Sequence, residues 1–204
     1  MRALLAGQTV TINGEYVQLD AVCLNHPPAT APPVLAGVRG PKSLELAGRS
    51  ADGVILAWPV TPAYVRHAAG LVTQGRRAAA RPGQATLLAG TPIGLGPDQA
   101  VAAEGLRPLV AAELASPSIR AHLEATGLAG KVNELRAKCG SMDEFAARIP
   151  REWIVTLTVC GAAHDCAATI RALHQAGAES VGQICGRRQV RATADSAFRN
   201  GHER

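Results

Sequence analysis

Five consecutive residues, Arg39-Gly40-Pro41-Lys42-Ser43, have the types and the spacing to bind an anion. An apolar run precedes them, and proline is favoured in the first turn of a helix, so this stretch is predicted to join a strand to a helix. The first amides of a helix have no acceptor within it, and the helix dipole adds positive charge there. These groups favour an anion at the turn. The alternative is that Gly40-Pro41 only forms the turn.

The elements around this turn indicate a parallel sheet. Two short apolar runs, 33–37 and 54–58, read as buried strands on either side of a helix. The predicted inner face of that helix is formed by Leu44, Leu46 and Ala47. A strand, helix and strand of this length are typical of a βαβ unit, which places the Arg39 turn at the carboxyl end of the first strand.

Three motifs around the turn resemble the luciferase-like flavin- or deazaflavin-dependent oxidoreductases. They are Gly40-Pro41-Lys42, the LELAG sequence at 44–48 and the ADGVIL sequence at 51–56. Flanking segments with similar family patterns lie at 4–10, 14–16, 166–173 and 176–181. Together the matches cover most of residues 2–181.

The resemblance implies a (β/α)8 barrel, which needs roughly 250 residues. The chain has 204 residues and starts where the family is past its middle. We therefore expect a partial barrel, made of the C-terminal strands and helices with a helical insertion, over residues 1–181. Residues 182–204 depart from the family pattern and are predicted to be a disordered basic tail.

The resemblance also assigns a site. It implies that the backbone amides at Arg39 and Gly40 hold a coenzyme phosphate, assisted by Lys42 and Ser43. Ala57 and Trp58 end the next strand and are expected to line the pocket of the ring or the substrate. A Trp58 that packs in the core is the alternative. The family's acids come from its early strands, so no catalytic residue is assigned.

The function implied is hydride transfer to or from a small-molecule substrate, with the deazaflavin coenzyme F-420 as the preferred cofactor and FMN as the second. Three alternatives stay open. One is an FMN-dependent monooxygenase that uses molecular oxygen, another is a truncated and inactive fragment of such an enzyme, and the last is an unrelated barrel that binds sugar phosphates. A homodimer or a missing N-terminal half is the expected protein partner.

Local patterns predict the remaining elements. Asn13-Gly14 between alternating residues indicates a hairpin, and Ala162 leaves the following helix without a side-chain cap. Residues 154–159 favour a strand by propensity, but the resemblance implies a helix that ends at Gly161. Other helices are predicted at 61–80, from 98 onward, and at 116–126, 129–139, 142–148 and 163–177. Strands are predicted at 86–90 and 180–184, and a glycine-rich loop at 93–96.

Composition narrows the class of protein. The net charge is +5, and five arginines against two acidic residues from Gly182 onward supply +3 of it. Aromatic residues are 3% of the chain, so a nucleic-acid partner is not expected. The five cysteines have irregular spacing, and His67, His122 and His174 are predicted on the outer helices, so no metal site is expected. With no signal peptide or membrane span in the sequence, a cytoplasmic protein is predicted.

Overall fold

The computed structural model describes residues 1–183. The helices are α1 (Arg2–Leu5), α2 (Pro41–Ser50), α3 (Pro62–Ala78), α4 (Gln99–Leu114), α5 (Arg120–Thr126), α6 (Ala129–Ala137), α7 (Met142–Arg148), α8 (Arg151–Leu157) and α9 (Ala163–Gln175). A 3₁₀ turn precedes α5 at Pro117–Ile119. The strands are β1 (Val10–Asn13), β2 (Gln18–Val22), β3 (Leu35–Val38), β4 (Gly53–Leu56), β5 (Thr86–Thr91), β6 (Ile93–Leu95), β7 (Val159–Gly161) and β8 (Ser180–Gln183). None of the helices in this part of the chain has the length and apolar character needed to cross a membrane.

The main sheet has four parallel strands in the order β3-β4-β5-β8. Leu35 pairs with Gly53, Gly53 pairs with Thr86, and Leu88 pairs with Ser180. Helices α2 and α3 connect the first three strands, as the βαβ pattern predicts. The carboxyl ends of these strands therefore meet at one edge of the sheet.

Helices α2 and α3 approach each other closely because glycines lie at their contact. A Cβ on Gly48 would lie 2.1 Å from the Val72 carbonyl oxygen, and a Cβ on Gly75 would lie 2.0 Å from that of Glu45. Neither distance is compatible with any side chain larger than that of glycine. The pair of glycines thus fixes how α2 packs against α3.

Two predicted burials are wrong, for geometric reasons. Leu44 and Ala47 of α2 are buried, but Leu46 is 61% exposed, because it lies on the opposite face of a 3.6-residue helix. In β4, Val54 and Leu56 face the helices and are buried. Ile55 points to the other face of the sheet and is 43% exposed. That second face, here called the inner face, is open at Ile55, Gly37 and Gly182 within residues 1–183.

A long, mainly helical insertion lies between β5 and β8. Residues 99–157, here called the helical segment, have their own buried cluster around Leu106, Phe145 and Ile154. The main-sheet cluster lies around Leu44, Val54 and Leu56. The predicted inserted helices are confirmed by α4 to α7.

A small second sheet is formed by β6, which precedes the helical segment, and β7, which follows it. The predicted glycine-rich loop at 93–96 is wrong, since β6 pairs in parallel with β7, and Ile93 lies opposite Val159. The partners are far apart in sequence, so local composition gives no sign of the pairing. The predicted helix up to Gly161 is also wrong at its end, because α8 stops at Leu157 and Val159 begins β7.

The cap of α9 comes from a residue inside the helix. Ala162 has no side-chain acceptor, as predicted, but its amide donates to the Asp165 carboxylate at 3.0 Å. Asp165 occupies the third helical position, from which an acidic side chain reaches back to the first amide. Strand β8 then ends at Gln183. Residues 184–204 of the predicted basic tail lie outside the described residues, and that call stays a prediction.

The predicted hairpin around Asn13-Gly14 is confirmed by the antiparallel pair β1–β2. At the amino end of the main sheet, Asp52 forms a clamp. Its carboxylate accepts from the Val34 amide at 2.8 Å, from Arg2 at 2.6 Å and from Arg81 at 2.9 Å. The hydrogen bond from Val34 and the contact with Arg2 lower the pKa of Asp52 to about 2. One side chain thus ties the N-terminal helix, β3 and the loop after α3 together.

Asp52→Asn is expected to lower the free energy of unfolding at pH 7 by about 1 kcal/mol, since an amide loses both charge-assisted contacts. The effect is limited because 34% of the side chain is exposed. The folded pKa of about 2 lies below the reference value of 3.8, so the stabilisation is present above pH 3.8 and is lost as the pH falls through 2. Urea unfolding from pH 2 to 7 measures both effects. Asp20→Asn, on the exposed strand β2, is the control, and equal losses in the two variants would contradict the clamp.

Candidate functional site

The turn between β3 and α2 has free donors. Gly40 is the N-cap of α2, and its carbonyl accepts from the Leu44 amide at 2.9 Å. Pro41 has no N–H, and the amides of Lys42 and Ser43 have no acceptor among the described residues. Both side chains are exposed. Two backbone donors at the positive end of a ten-residue helix are thus available to an anion.

Gly40 leaves room for that anion. Its φ of −80° and ψ of 157° are open to any residue, so glycine is not needed here for backbone freedom. A Cβ at Gly40 would meet no atom of the described residues within 4 Å. The space beside the free amides is therefore open, as close approach of a phosphate requires.

The side chain of Arg39 is paired with residues of the helical segment. Its Nη1 donates to Glu113 Oε1 at 2.8 Å and to Ser118 Oγ at 2.7 Å. Glu113 lies at the end of α4, and Ser118 lies in the 3₁₀ turn that follows. The structure thus places the predicted residues Arg39, Gly40, Lys42 and Ser43 at one turn, with the Arg39 side chain joined to the helical segment.

Tyr64, on α3, contacts the same turn. Its side chain is fully buried, and its hydroxyl donates to the Arg39 carbonyl oxygen at 2.7 Å. Burial raises the pKa of Tyr64 to about 12, although the charge of Arg39 opposes the change. The phenol therefore stays protonated at neutral pH and remains a donor. The carbonyl of the turn is held by one hydrogen bond from α3.

His122 corrects a prediction made from the sequence. It lies on α5, as expected, but it is fully buried and stacks on Tyr64 with ring centroids 3.8 Å apart. Neither ring nitrogen has a hydrogen-bond partner of good geometry within residues 1–183. Burial lowers the pKa of His122 to about 4, although the Pro59 carbonyl opposes this shift. The imidazole is thus neutral at pH 7 and lies beside the loop that follows β4.

Ala57 and Trp58 lie at the carboxyl end of β4. Ala57 is half-buried. Trp58 is 5% exposed, packs in the cluster of the helical segment, and donates through Nε1 to the Leu157 carbonyl at 2.7 Å. In this structure Trp58 joins the sheet to the end of α8. A role of either residue in a ring or substrate pocket stays a prediction.

Sequence reasoning did not find Tyr64, Glu113 and Ser118. They lie 25, 74 and 79 positions from the residue that each contacts. Tyr64 follows a helix start and reads as an ordinary core residue, so no local signal identifies it. In the described part of the chain, no group of three histidine, cysteine or acidic side chains is arranged to hold a metal ion.

The chain has relatives among known families. The luciferase-like monooxygenase family matches residues 1–180. An F420-dependent hydroxymycolic acid dehydrogenase of Mycobacterium tuberculosis is 38% identical over 55 residues, which are 27% of this chain and 15% of the relative. An F420-dependent glucose-6-phosphate dehydrogenase of Nakamurella multipartita is 42% identical over 52 residues, 26% and 15% of the two chains.

Solved structures share the fold. The coenzyme F420-dependent tetrahydromethanopterin reductase from Methanopyrus kandleri superposes with a TM-score of 0.67 at 23% identity, over 88% of this chain and 53% of that one. The FMN-bound oxygenating constituent of 3,6-diketocamphane monooxygenase from Pseudomonas putida superposes with a TM-score of 0.53 at 12% identity, over 89% and 53%. The chain thus spans about half the length of these barrel enzymes. The predicted partial barrel of the luciferase-like type is confirmed, and both predicted cofactors occur in the names of these proteins.

His122→Phe is expected to stabilise the fold and to flatten its pH dependence. The phenyl ring keeps the stack on Tyr64 and removes a buried polar group without a good partner, a gain of roughly 1 kcal/mol. The folded pKa of about 4 lies below the reference value of 6.5, so wild-type stability is complete above pH 6.5 and falls as the pH falls towards 4. Thermal unfolding at pH 4.5 and pH 7.5 measures the difference. His26→Phe, in an exposed loop, should keep the wild-type slope, and a His122→Phe protein that also keeps it would contradict the assignment.

Proposed function

Because the chain belongs to the luciferase-like monooxygenase family, we propose that it binds a flavin-type coenzyme through its phosphate and takes part in hydride transfer with a small-molecule substrate. Coenzyme F-420 is the preferred cofactor, with FMN as the second. The observation that carries the proposal is the pair of free amides, Lys42 and Ser43, beside the open space at Gly40. The names of the F420-dependent relatives support the choice of coenzyme.

The residues of the turn fit a phosphate. Two amides and the amino end of α2 favour a negative group, and no atom of residues 1–183 lies within 4 Å of a Cβ placed on Gly40. Arg39 is neutralised by Glu113, so the backbone and Lys42 are left to bind the anion. The hydroxyl of Tyr64 holds the carbonyl oxygen of Arg39, so this oxygen cannot turn towards the phosphate.

The hydride chemistry would be supplied by the ring of the bound coenzyme, while the protein contributes position and exclusion of water. The parts of this chain that can do so are the turn at Gly40, the loop after β4 and the helical segment. All three meet at the carboxyl edge of the sheet, where barrel enzymes have their sites.

The Gly40→Ala variant tests coenzyme binding without disturbing the fold. The added Cβ meets no atom in the described part of the chain and the backbone conformation is allowed. The melting temperature should therefore stay close to wild type, with a cost below about 1 kcal/mol at the N-cap. The same methyl would lie where the phosphate binds. In thermal melts, coenzyme F-420 should raise the wild-type transition more than FMN does, and this rise should be lost in Gly40→Ala.

Gly70→Ala is the matched control, since its Cβ also meets nothing and it lies on the exposed face of α3. This variant should keep the full coenzyme response. A wild-type protein that neither coenzyme stabilises would overturn the proposal. Stabilisation by inorganic phosphate without preference for either coenzyme would favour the sugar-phosphate alternative.

The proposal includes a partner for the open inner face of the sheet. A Cβ at Gly37 or Gly182 would meet no atom there, and Ile55 is exposed on the same side. Within residues 1–183, β3 and β8 are edge strands, which favour pairing with further strands. We propose that these strands come from a second copy of the chain or from a segment equivalent to the N-terminal half of the barrel.

The mass of the purified protein in solution distinguishes the two partners. Light scattering after gel filtration should give a dimer if a second copy covers the face. A monomer that binds an N-terminal half of a related barrel, made separately, would support the other partner. A monomer that stays folded and does not bind that half would contradict both.

A further inference from the structure

The peptide that joins Arg39 to Gly40 is held in one orientation by a side chain from another helix. The hydroxyl of Tyr64, on α3, donates to the Arg39 carbonyl oxygen at 2.7 Å. The carbonyl of the next peptide, that of Gly40, accepts from the Leu44 amide at 2.9 Å. The peptide between Arg39 and Gly40 is trans, so its carbonyl and its N–H point in opposite directions. The N–H of Gly40 therefore points away from the Tyr64 hydroxyl.

The Tyr64 hydroxyl is itself fixed in place. The side chain is fully buried, and its ring stacks on that of His122 with centroids 3.8 Å apart. A side chain packed in this way keeps one rotamer. Glycine is the residue with the greatest backbone freedom, so Gly40 does not fix the direction of its own N–H. That direction is set by the packing of α3 and α5.

The N–H of Gly40 has no acceptor within residues 1–183. The start of α9 shows what such an amide binds, because the N-cap amide of Ala162 donates to the Asp165 carboxylate at 3.0 Å. Asp165 is the third residue of α9, a position from which a carboxylate reaches the N-cap amide. The third residue of α2 is Ser43, which has no carboxylate. The N-cap amide of α2 thus lacks the anion that α9 supplies from its own sequence.

We propose that Tyr64 is a positioning residue of the coenzyme site, which holds the Gly40 N–H as a third donor to the coenzyme phosphate. The inference rests on the proposed function, in which the amides of Lys42 and Ser43 bind that phosphate. Tyr64 acts through the peptide between Arg39 and Gly40 and does not touch the anion. Without the hydroxyl this peptide is free to rotate, and its N–H is no longer directed at one point.

Amide resonances of the full chain, labelled with ¹⁵N-glycine and ¹⁵N-lysine, report two of the donors separately. The Gly40 and Lys42 signals are identified by their loss in Gly40→Ala and Lys42→Arg. Coenzyme F-420, with FMN for comparison, should shift both signals in the wild type, because each N–H gains a charge-assisted hydrogen bond. In Tyr64→Phe the Lys42 signal should still shift, the Gly40 shift should be lost, and the coenzyme should bind at least about threefold more weakly.

Tyr16→Phe is the matched control for the loss of a phenol hydroxyl. Tyr16 is 90% exposed and lies between the two strands of the hairpin, so this variant should respond to the coenzyme as the wild type does. Tyr64→Phe keeps the aromatic ring that stacks on His122, so it is expected to fold. A Gly40 shift that persists in Tyr64→Phe would overturn the positioning role.

Ser43→Asp is a second variant, and it should change stability and binding in opposite directions. A carboxylate at this position can accept from the Gly40 amide, as Asp165 does from Ala162. The melting temperature without coenzyme should therefore rise, whereas the increase caused by coenzyme F-420 should fall at least about twofold. Gln74→Glu, on the exposed face of α3, adds the same charge and should keep the full response. A Ser43→Asp protein with the wild-type response would overturn the third donor.

The two resonances keep the inference apart from the proposed function. A shift of the Lys42 signal without a shift of the Gly40 signal in the wild type would overturn the third donor and leave the proposed function standing. If neither coenzyme shifts either signal, both proposals are overturned. Shifts of both signals in the wild type, with only the Lys42 shift left in Tyr64→Phe, support both.

Discussion

Parallel strands must be joined by crossover segments, and in this chain the crossovers carry every residue of the candidate site. Because β3, β4 and β5 run in the same direction, their carboxyl ends open onto one edge. The Gly40 turn, the loop after β4 and the start of the helical segment are therefore neighbours although they are distant in sequence. The close packing of α2 on α3 keeps this arrangement in place.

Arginine–carboxylate contacts hold the two ends of the sheet. At the amino end Asp52 binds Arg2 and Arg81, and at the carboxyl end Arg39 binds Glu113. The side chains of Arg39 and Glu113 are 30% and 21% exposed, whereas Arg2 is 48% exposed, so salt screens the contact of Arg39 less. Some of the arginines among the described residues are thus neutralised by acidic side chains of the same fold.

Much of the fold could be predicted from the sequence, because local signals determine it. The hairpin at Asn13-Gly14, the start of α3 at Pro62 and the βαβ unit around Gly40 depend on turn chemistry and hydrophobic period. The predictions that are wrong concern structure that depends on contacts between residues far apart in the chain. The β6–β7 sheet joins residues far apart in the chain, and the exposure of Ile55 depends on what covers the inner face.

For the site, the sequence by itself determined a turn with two free amides, since the first amides of a helix that starts at Pro41 have no acceptor within it. Only the tertiary structure decided that Arg39 binds Glu113, that Tyr64 holds its carbonyl and that His122 is buried. These contacts join α3 and α4 directly to one turn, and α5 to it through the stack of His122 on Tyr64. No local pattern encodes which helices pack together, because that depends on the shape and burial of whole faces.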